Sequence, residues 1–522
     1  MPLPGAISAP VIPGQSGPTP LLFAAHGGRI NTIASGYGAS GSKLTGKGRR
    51  PFQFGSLPPL AIRFVWANWY AQASSAAPEV AGSYAIPYRA ACMAFASGFV
   101  SVTIGGATPT IPVTTALVLS DWIFPRDCGL ASFPANGRFE FRGVYDLQTG
   151  QSALPVNGAT NRPGGGQSMR YAVANEGALD VLNNSSVVMS YPSGYDSVPV
   201  HMPIAVIGLM PSGAQAVMSV ISDSITYNQG DYQGFGDVGG GYFERACYLA
   251  GIPSFNGGVS GLAAYHWAQG SSLRQQLLPY ATESIVHVGT NDYFSTNQPS
   301  YAPNGVASVQ AYVQQFCCEF KAASGGGRVG ILTLPPRTAV SDHSKWTTIA
   351  GQVPDSGFVS GGLRDQHNSA VKTSPGSFGC DYGVDTGSIC NDPVTTSAWR
   401  VSAYSATTTA AIAAGAASAT VTAAPNQDDV LVYDAGNATV DTNASIGAFA
   451  CSITGSSNPF TIAHTYTDAY SNTTLTYEPA SAHGSGAPVK VAYTPDGIHP
   501  SPNNVKPMVR LLAPFLAGAF RR

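Results

Sequence analysis

The chain is short of charge. Of its 522 residues, 26 are Lys or Arg and 28 are Asp or Glu, so 10% are charged, against roughly 25% in an ordinary soluble protein. A net charge of -2 leaves no basic face for a nucleic-acid partner, and none is expected. Long apolar runs are missing too. None approaches the ~18 residues of a membrane helix, so no membrane span is expected. The 8 cysteines include no C-x-x-C pair, which argues against a zinc site. No glycine-rich stretch has the phosphate-cradling pattern; Gly239–Gly241 and Gly325–Gly327 read as turns. The first residues, Met1-Pro2-Leu3-Pro4-Gly5, carry neither a charged n-region nor an apolar h-region, so no conventional signal peptide is expected.

What the chain has is 60 Gly and 39 Pro, a composition for strand, turn and loop more than for long helix. Its length implies two or three domains. Low charge with many hydroxyl side chains fits an extracellular, secreted or virion-associated protein; the oligomeric state is left open. Cys380 and Cys390 bracket the loop Asp381–Ile389 and could close a local disulfide, but the cysteine count leaves the connectivity open. Cys317 and Cys318 fall in a helical pattern and read as buried thiols.

In chain order, residues 1–58 read as an irregular arm with one short strand, and Lys47, Arg49 and Arg50 as a solvated loop. Strand patterns follow at Ala61–Trp66, Phe99–Ile104, Thr115–Leu119, Phe139–Tyr145 and Ile204–Leu209, separated by Gly, Pro and Asn. They predict an all-β sandwich over 59–212. Trp66, Trp69 and Tyr70 are either exposed for stacking on sugar rings or part of its core. Beyond 213 strands alternate with helices, the pattern of a parallel sheet with crossovers. Strands are expected at Val217–Ile221, Ser284–Val288 and Arg328–Leu334. Helical patterns run over Tyr242–Ala250, Leu262–Tyr280 with a break at Gly270, Val306–Ala323 and Leu363–Lys372. Residues 403–488 lose this rhythm and read as an inserted β-rich subdomain. Val489–Tyr493 is then expected to be a strand returning to the main domain. A closing helix striped by Met508, Leu511, Leu512, Phe515 and Leu516 ends the α/β domain, which comprises 213–402 and 489–522.

Four polar motifs punctuate this α/β pattern. Ser222-Asp223-Ser224 ends the first strand, where open α/β sheets place ligand sites. Asn256-Gly257-Gly258-Val259-Ser260-Gly261 and Gly289-Thr290-Asn291-Asp292 each follow a further strand, and Asp496-Gly497-Ile498-His499 precedes the closing helix. Each alone fits a turn. Together they supply the parts of an acyl-transfer site. A serine hydroxyl needs an adjacent base. Asp496, three residues before His499, can hold its imidazole in one tautomer. The backbone N–H groups of Ser224 and Gly261 and the side-chain amide of Asn291 can face a developing oxyanion. Asp223 and Asp292 read as partners of loop backbone; Asp342, His343 and His367 read as having no role.

In this order the motifs resemble the four signature blocks of the SGNH (GDSL-like) hydrolases. The resemblance covers about 215–399 and 489–522. It implies an SGNH-type, flavodoxin-like parallel sheet with flanking helices, here preceded by a β-sandwich similar in architecture to those ahead of some carbohydrate esterases. It assigns Ser224 as nucleophile, His499 as base, Asp496 as its acid partner, and Gly261 and Asn291 with Ser224 as oxyanion donors. No metal and no organic cofactor is implied. Ser222 stands where the family usually has glycine, so a side chain is expected to narrow the pocket or alter the nucleophile turn. The expected activity is a serine esterase, a carbohydrate O-acetylesterase acting on an acetylated polysaccharide. The competing expectation is a virion or cell-surface glycan-binding or structural protein, such as a phage receptor-binding protein, in which the esterase domain is accessory or inactive.

Overall fold

The computed structural model describes residues 19–35, 45–73, 78–95, 98–146, 153–156, 167–171, 196–197, 201–227, 240–294, 305–340, 346–426, 429–435, 441–442, 452–453, 458–463, 465–468, 473–476, 481–494 and 496–518. Asp342 and His343 lie outside them. None of the described helices is long and apolar enough to cross a membrane.

Two antiparallel sheets open the structure. One has four strands, ordered Leu21–Phe23, Ala205–Leu209, Ala61–Ala67, Leu117–Leu119. The other is built on Gly98–Ser101, Ile86–Phe95, Arg138–Asp146, Thr45–Phe54, Gln167–Tyr171 and Asp196–Ser197. Their inner faces share an aromatic core in which Phe52 stacks on Phe139 and Phe64 and Trp66 meet Phe141 edge-on or tilted. Trp66, Trp69 and Tyr70 are buried, so they are core and offer no exposed sugar platform.

The described part of the expected irregular arm is instead built into these sheets, and the expected start of the sandwich at residue 59 falls too late. Thr45–Phe54 is a ten-residue strand with Arg138–Asp146 on one side and Gln167–Tyr171 on the other. The basic cluster misled because its charges are buried and partnered. Arg49 lies 3.6 Å from Glu140, Arg50 donates to the carbonyls of Gly27 and Pro203, and Lys47 is only 2% exposed. Reading charged residues as solvated hides such a strand.

The six-stranded parallel sheet runs Tyr382–Val384, Arg328–Leu332, Glu283–Val286, Val217–Ser219, Ser254–Asn256, Gly28–Arg29. Setting the last strand aside, this is the flavodoxin-like order 2-1-3-4-5, whose switch point lies between Val217–Ser219 and Glu283–Val286. Gly28–Arg29 is contributed by the N-terminal segment and pairs with Phe255–Asn256 at the sheet's edge. Helix Val306–Ser324 buries Val309, Val313, Phe316 and Phe320 at three- and four-residue steps. The stretch 262–280 breaks into short helical turns at Tyr265–Ala268, Ser272–Gln275 and Leu278–Tyr280.

The insertion is wider than expected. Pro488–Ala492 does not return to the parallel sheet; it is a central strand of a four-stranded antiparallel sheet, between Val401–Thr407 and Val430–Tyr433. The apolar alternation around Val489 and Val491 suits either sheet, which is why sequence misplaced it. Successive residues of Val430–Tyr433 serve two cores, as a strand's period of two allows. Leu431 and Tyr433 pack inside the insertion, whereas Val430 and Val432 pack with Val505, Met508 and Leu512 of the closing helix, Pro502–Leu516. Leu511, expected on the apolar stripe, is 39% exposed.

Cys380 and Cys390 are free thiols, so the disulfide that their spacing allows is not formed. Cys380 packs in the main core and Cys390 in the cluster of the closing helix, with the strand Tyr382–Val384 between them. The thiol beside Cys380 is that of Cys317, 3.7 Å away. Cys318, expected to be buried, is exposed on the outer face of its helix.

Candidate active site

The four motifs meet at the C-terminal edge of the parallel sheet. Regular pairing of the first strand stops at Ser219, and Ser222 makes one further bridge to His287. The chain then turns. Asp223 Oδ1 accepts the N–H of Ile225 at 2.9 Å, and the Asp223 carbonyl accepts that of Tyr227 at 3.0 Å. This turn presents Ser224 at the sheet edge. Ser222 does not narrow the mouth: it is fully buried, its hydroxyl turned back toward the Ser219 carbonyl, while its own carbonyl accepts the Val259 N–H.

Ser224 Oγ lies 2.8 Å from His499 Nε2. On the other side of the ring, His499 Nδ1 lies 2.6 Å from Asp496 Oδ2. A carboxylate accepts, so Nδ1 carries the proton and Nε2 is left as acceptor for the serine hydroxyl. Asp496 Oδ1 meanwhile accepts the N–H groups of Ile498 and His499 at 3.0 and 2.9 Å. Burial alone would push this carboxyl up, but His499 and the two N–H donors outweigh it and hold it below its ordinary value.

The Asp-x-x-His loop is fixed from outside. The Gly497 carbonyl accepts the Thr338 N–H and the Trp399 indole N–H. The Thr494 hydroxyl takes the Gly497 N–H at 2.9 Å and donates to the His499 carbonyl at 2.8 Å. Gly497 has φ +81, and a Cβ there would overlap the Thr338 carbonyl oxygen. The motif therefore requires glycine at its second position.

The expected oxyanion donors sit on two cross-linked loops. Asn291 Nδ2 donates to the Leu262 carbonyl at 2.9 Å, and Asp292 Oδ1 accepts the Ala264 N–H at 2.9 Å. The glycine loop and the Gly-Thr-Asn-Asp loop are thereby tied together. Gly261 sits in the left-handed region at φ +78. Asp223 and Asp292 are buried behind this edge. Burial pushes Asp223 up to about 6, against the pull of the Ile225 N–H. Burial pushes Asp292 up to about 7, against the Ala264 N–H and with help from the Asp223 charge. His367 is buried in helix Leu363–Thr373, its Nδ1 2.8 Å from the Tyr293 hydroxyl, a core contact.

Two further polar residues brace the site: Arg337, which belongs to none of the four motifs, and Asn256, which opens the second motif but whose contacts its sequence did not reveal. Arg337 follows the strand Arg328–Leu332 and Pro335-Pro336. It pairs with Asp355 at 2.7 Å, reaches the Thr290 carbonyl and Asn291 Oδ1 at 3.4 and 3.5 Å, and lies over the Phe294 ring. It holds the Asn291 oxygen side, leaving the amide nitrogen toward the glycine loop. Its signal was an arginine, in a charge-poor chain, just past a strand of the same sheet. Asn256 braces the nucleophile turn, donating to the Thr226 carbonyl and to Glu244 and accepting the Gly258 N–H.

No protein-family model matches the chain, and no curated protein matches it. Among solved structures it is similar to a possible lipase from Chitinophaga pinensis, at 15% identity and TM-score 0.30 over 59% of this chain and 98% of that one. It is also similar to a carbohydrate esterase family 2 enzyme plus carbohydrate binding domain from Corynascus thermopiles, at 14% identity and TM-score 0.26 over 65% and 89% of the two chains. A third is the M. smegmatis aryl esterase, at 13% identity and TM-score 0.26 over 36% and 91%. The chemistry of this chain therefore has to be judged on its own geometry.

Proposed function

We propose that the protein is a serine ester hydrolase working through an acyl-enzyme on Ser224. The observation that carries this reading is the continuous line Ser224 Oγ–His499 Nε2–Asp496, at 2.8 and 2.6 Å. His499 Nε2 takes the hydroxyl proton as Oγ attacks the ester carbonyl carbon. The tetrahedral oxyanion is held by the N–H groups of Ser224 and Gly261 and by the Asn291 amide. The imidazolium, stabilised by Asp496, returns the proton to the departing alcohol. Water, deprotonated by the same nitrogen, then releases the acid and restores Ser224.

The finer reading is removal of O-acetyl groups from a polysaccharide. Its supports are a charge-poor chain, in keeping with a neutral, hydroxyl-rich substrate, and two β-rich regions beside the hydrolase sheet. Turnover of p-nitrophenyl acetate by the full chain and by Ser224→Ala tests the chemistry. Wild-type turnover lost in the variant is expected. Absent turnover, or turnover that survives the substitution, would overturn it. Acetate release from acetylated xylan and from bacterial surface polysaccharide then tests the substrate.

A further inference from the structure

A hairpin of the N-terminal region, Trp69–Ala71 paired with Glu79–Ala81, reaches the edge where the four motifs meet. At its base the buried Asn31 side chain donates to the Ala67 and Trp69 carbonyls at 2.7 and 2.9 Å, and the Asn31 backbone carbonyl accepts the Ala71 N–H. On the second strand Glu79 is locked to the hydrolase domain. Its carboxylate accepts the Leu273 N–H at 2.7 Å, the Arg274 N–H at 3.2 Å and Arg274 Nε at 2.6 Å. Both side chains of this ion pair are almost wholly buried. Arg274 then reaches the carbonyl of Val220, four residues before the nucleophile, and the Ser271 hydroxyl. The hairpin is thus tied both to the chain that carries Ser224 and to the segment just past Gly261.

Beyond Ala71, the exposed Ala73 lies against Gly261: a Cβ placed on that glycine would stand 3.2 Å from Ala73 Cβ. We propose that Ala73, just past the first strand of this hairpin, forms part of one wall of the acyl pocket and restricts the pocket to short acyl groups, acetyl foremost. The proposal rests on the ester-hydrolase reading, with Gly261 at the oxyanion. A donor N–H lies about 3 Å from the oxyanion it serves. Ala73 is therefore within the reach of the third or fourth carbon of a bound acyl chain. A mobile loop would yield to a longer chain. The strand Trp69–Ala71 that leads into Ala73 is paired through Ala71 with Glu79, and Glu79 is held by a buried ion pair with three hydrogen bonds, which is costly to break. Added methylenes, which gain binding in an open apolar pocket, meet the wall here.

The test is kcat/KM for p-nitrophenyl acetate, butyrate and octanoate with the full-length wild type, Ala73→Gly and Ala73→Trp. Ala73 is exposed, so both variants should keep the wild-type melting temperature. The wild type should favour acetate over octanoate by about tenfold or more, on the scale of methylene discrimination. Ala73→Trp should lower butyrate relative to acetate by about tenfold, and Ala73→Gly should raise octanoate relative to acetate about threefold. A wild type that favours octanoate, or chain-length ratios unchanged in both variants while turnover persists, overturns the proposal and leaves the esterase reading standing. Absence of wild-type turnover on every ester overturns both.

Discussion

Asp292 is expected to make the α/β domain less stable as pH rises through neutrality. Its carboxyl is raised from 3.8 to about 7, first by burial. Between those values the folded state keeps a proton that the unfolded chain has released. Stability must then fall with rising pH across that window and level off above it. At ~1.4 kcal/mol per pKa unit, the shift corresponds to about 4 kcal/mol at pH 8 relative to pH 4. Asp292→Asn keeps an oxygen for the Ala264 N–H and removes the ionisation. The variant should match wild type near pH 4 and exceed it by up to ~4 kcal/mol at pH 8. Asp223, raised to about 6 for the same primary reason, remains in the variant and leaves a slope below pH 6. The decisive interval is therefore pH 6 to 8. Urea unfolding followed by tryptophan fluorescence is suitable, because Trp267 is buried in this domain against Phe316. Equal slopes for wild type and variant over pH 6 to 8 would refute the assignment.

Two other substitutions probe the catalytic loop. Asp496→Asn should lower kcat on p-nitrophenyl acetate by roughly 10²–10⁴-fold with little change in KM, because the imidazole loses the carboxylate that fixes its tautomer; steady-state kinetics at one pH checks it. Gly497→Ala should abolish most activity while the sandwich stays folded, since its Cβ has no room beside Thr338; turnover and near-ultraviolet circular dichroism together separate a shifted loop from global unfolding.

The motifs at the sheet's C-terminal edge were legible in sequence because polar residues of distinct types stand just beyond apolar strands. Ser224, His499 and Asp496 are brought together; spacing bore on the Asp496–His499 contact alone, and the order of the motifs on Ser224. Helix Val306–Ser324 was legible because one face repeats apolar residues at helical steps. Where interpretation failed, the physics was non-local. Arg49 and Arg50 are buried because Glu140 and the carbonyls of Gly27 and Pro203 wait for them across the fold. Pro488–Ala492 has a pattern that suits two sheets, and only its neighbours decide between them. Cys380 and Cys390 are near in sequence but are parted by a strand, which loop length alone cannot reveal. Arg337 went unnoticed because a lone cation past a strand has no spacing to match.

The edge strand Gly28–Arg29 has a consequence for biogenesis. Its partners, Phe255 and Asn256, emerge from the ribosome 255 − 28 = 227 residues later. At ~5–20 residues per second the early segment waits roughly 10–45 s for its place in the sheet. During that wait the sandwich strands that flank it in sequence can already pair. The hydrolase domain then completes itself on a template laid down by the first part of the chain. Excising residues 213–522 as a portable esterase would leave the edge of Ser254–Asn256 bare, open to pairing between molecules.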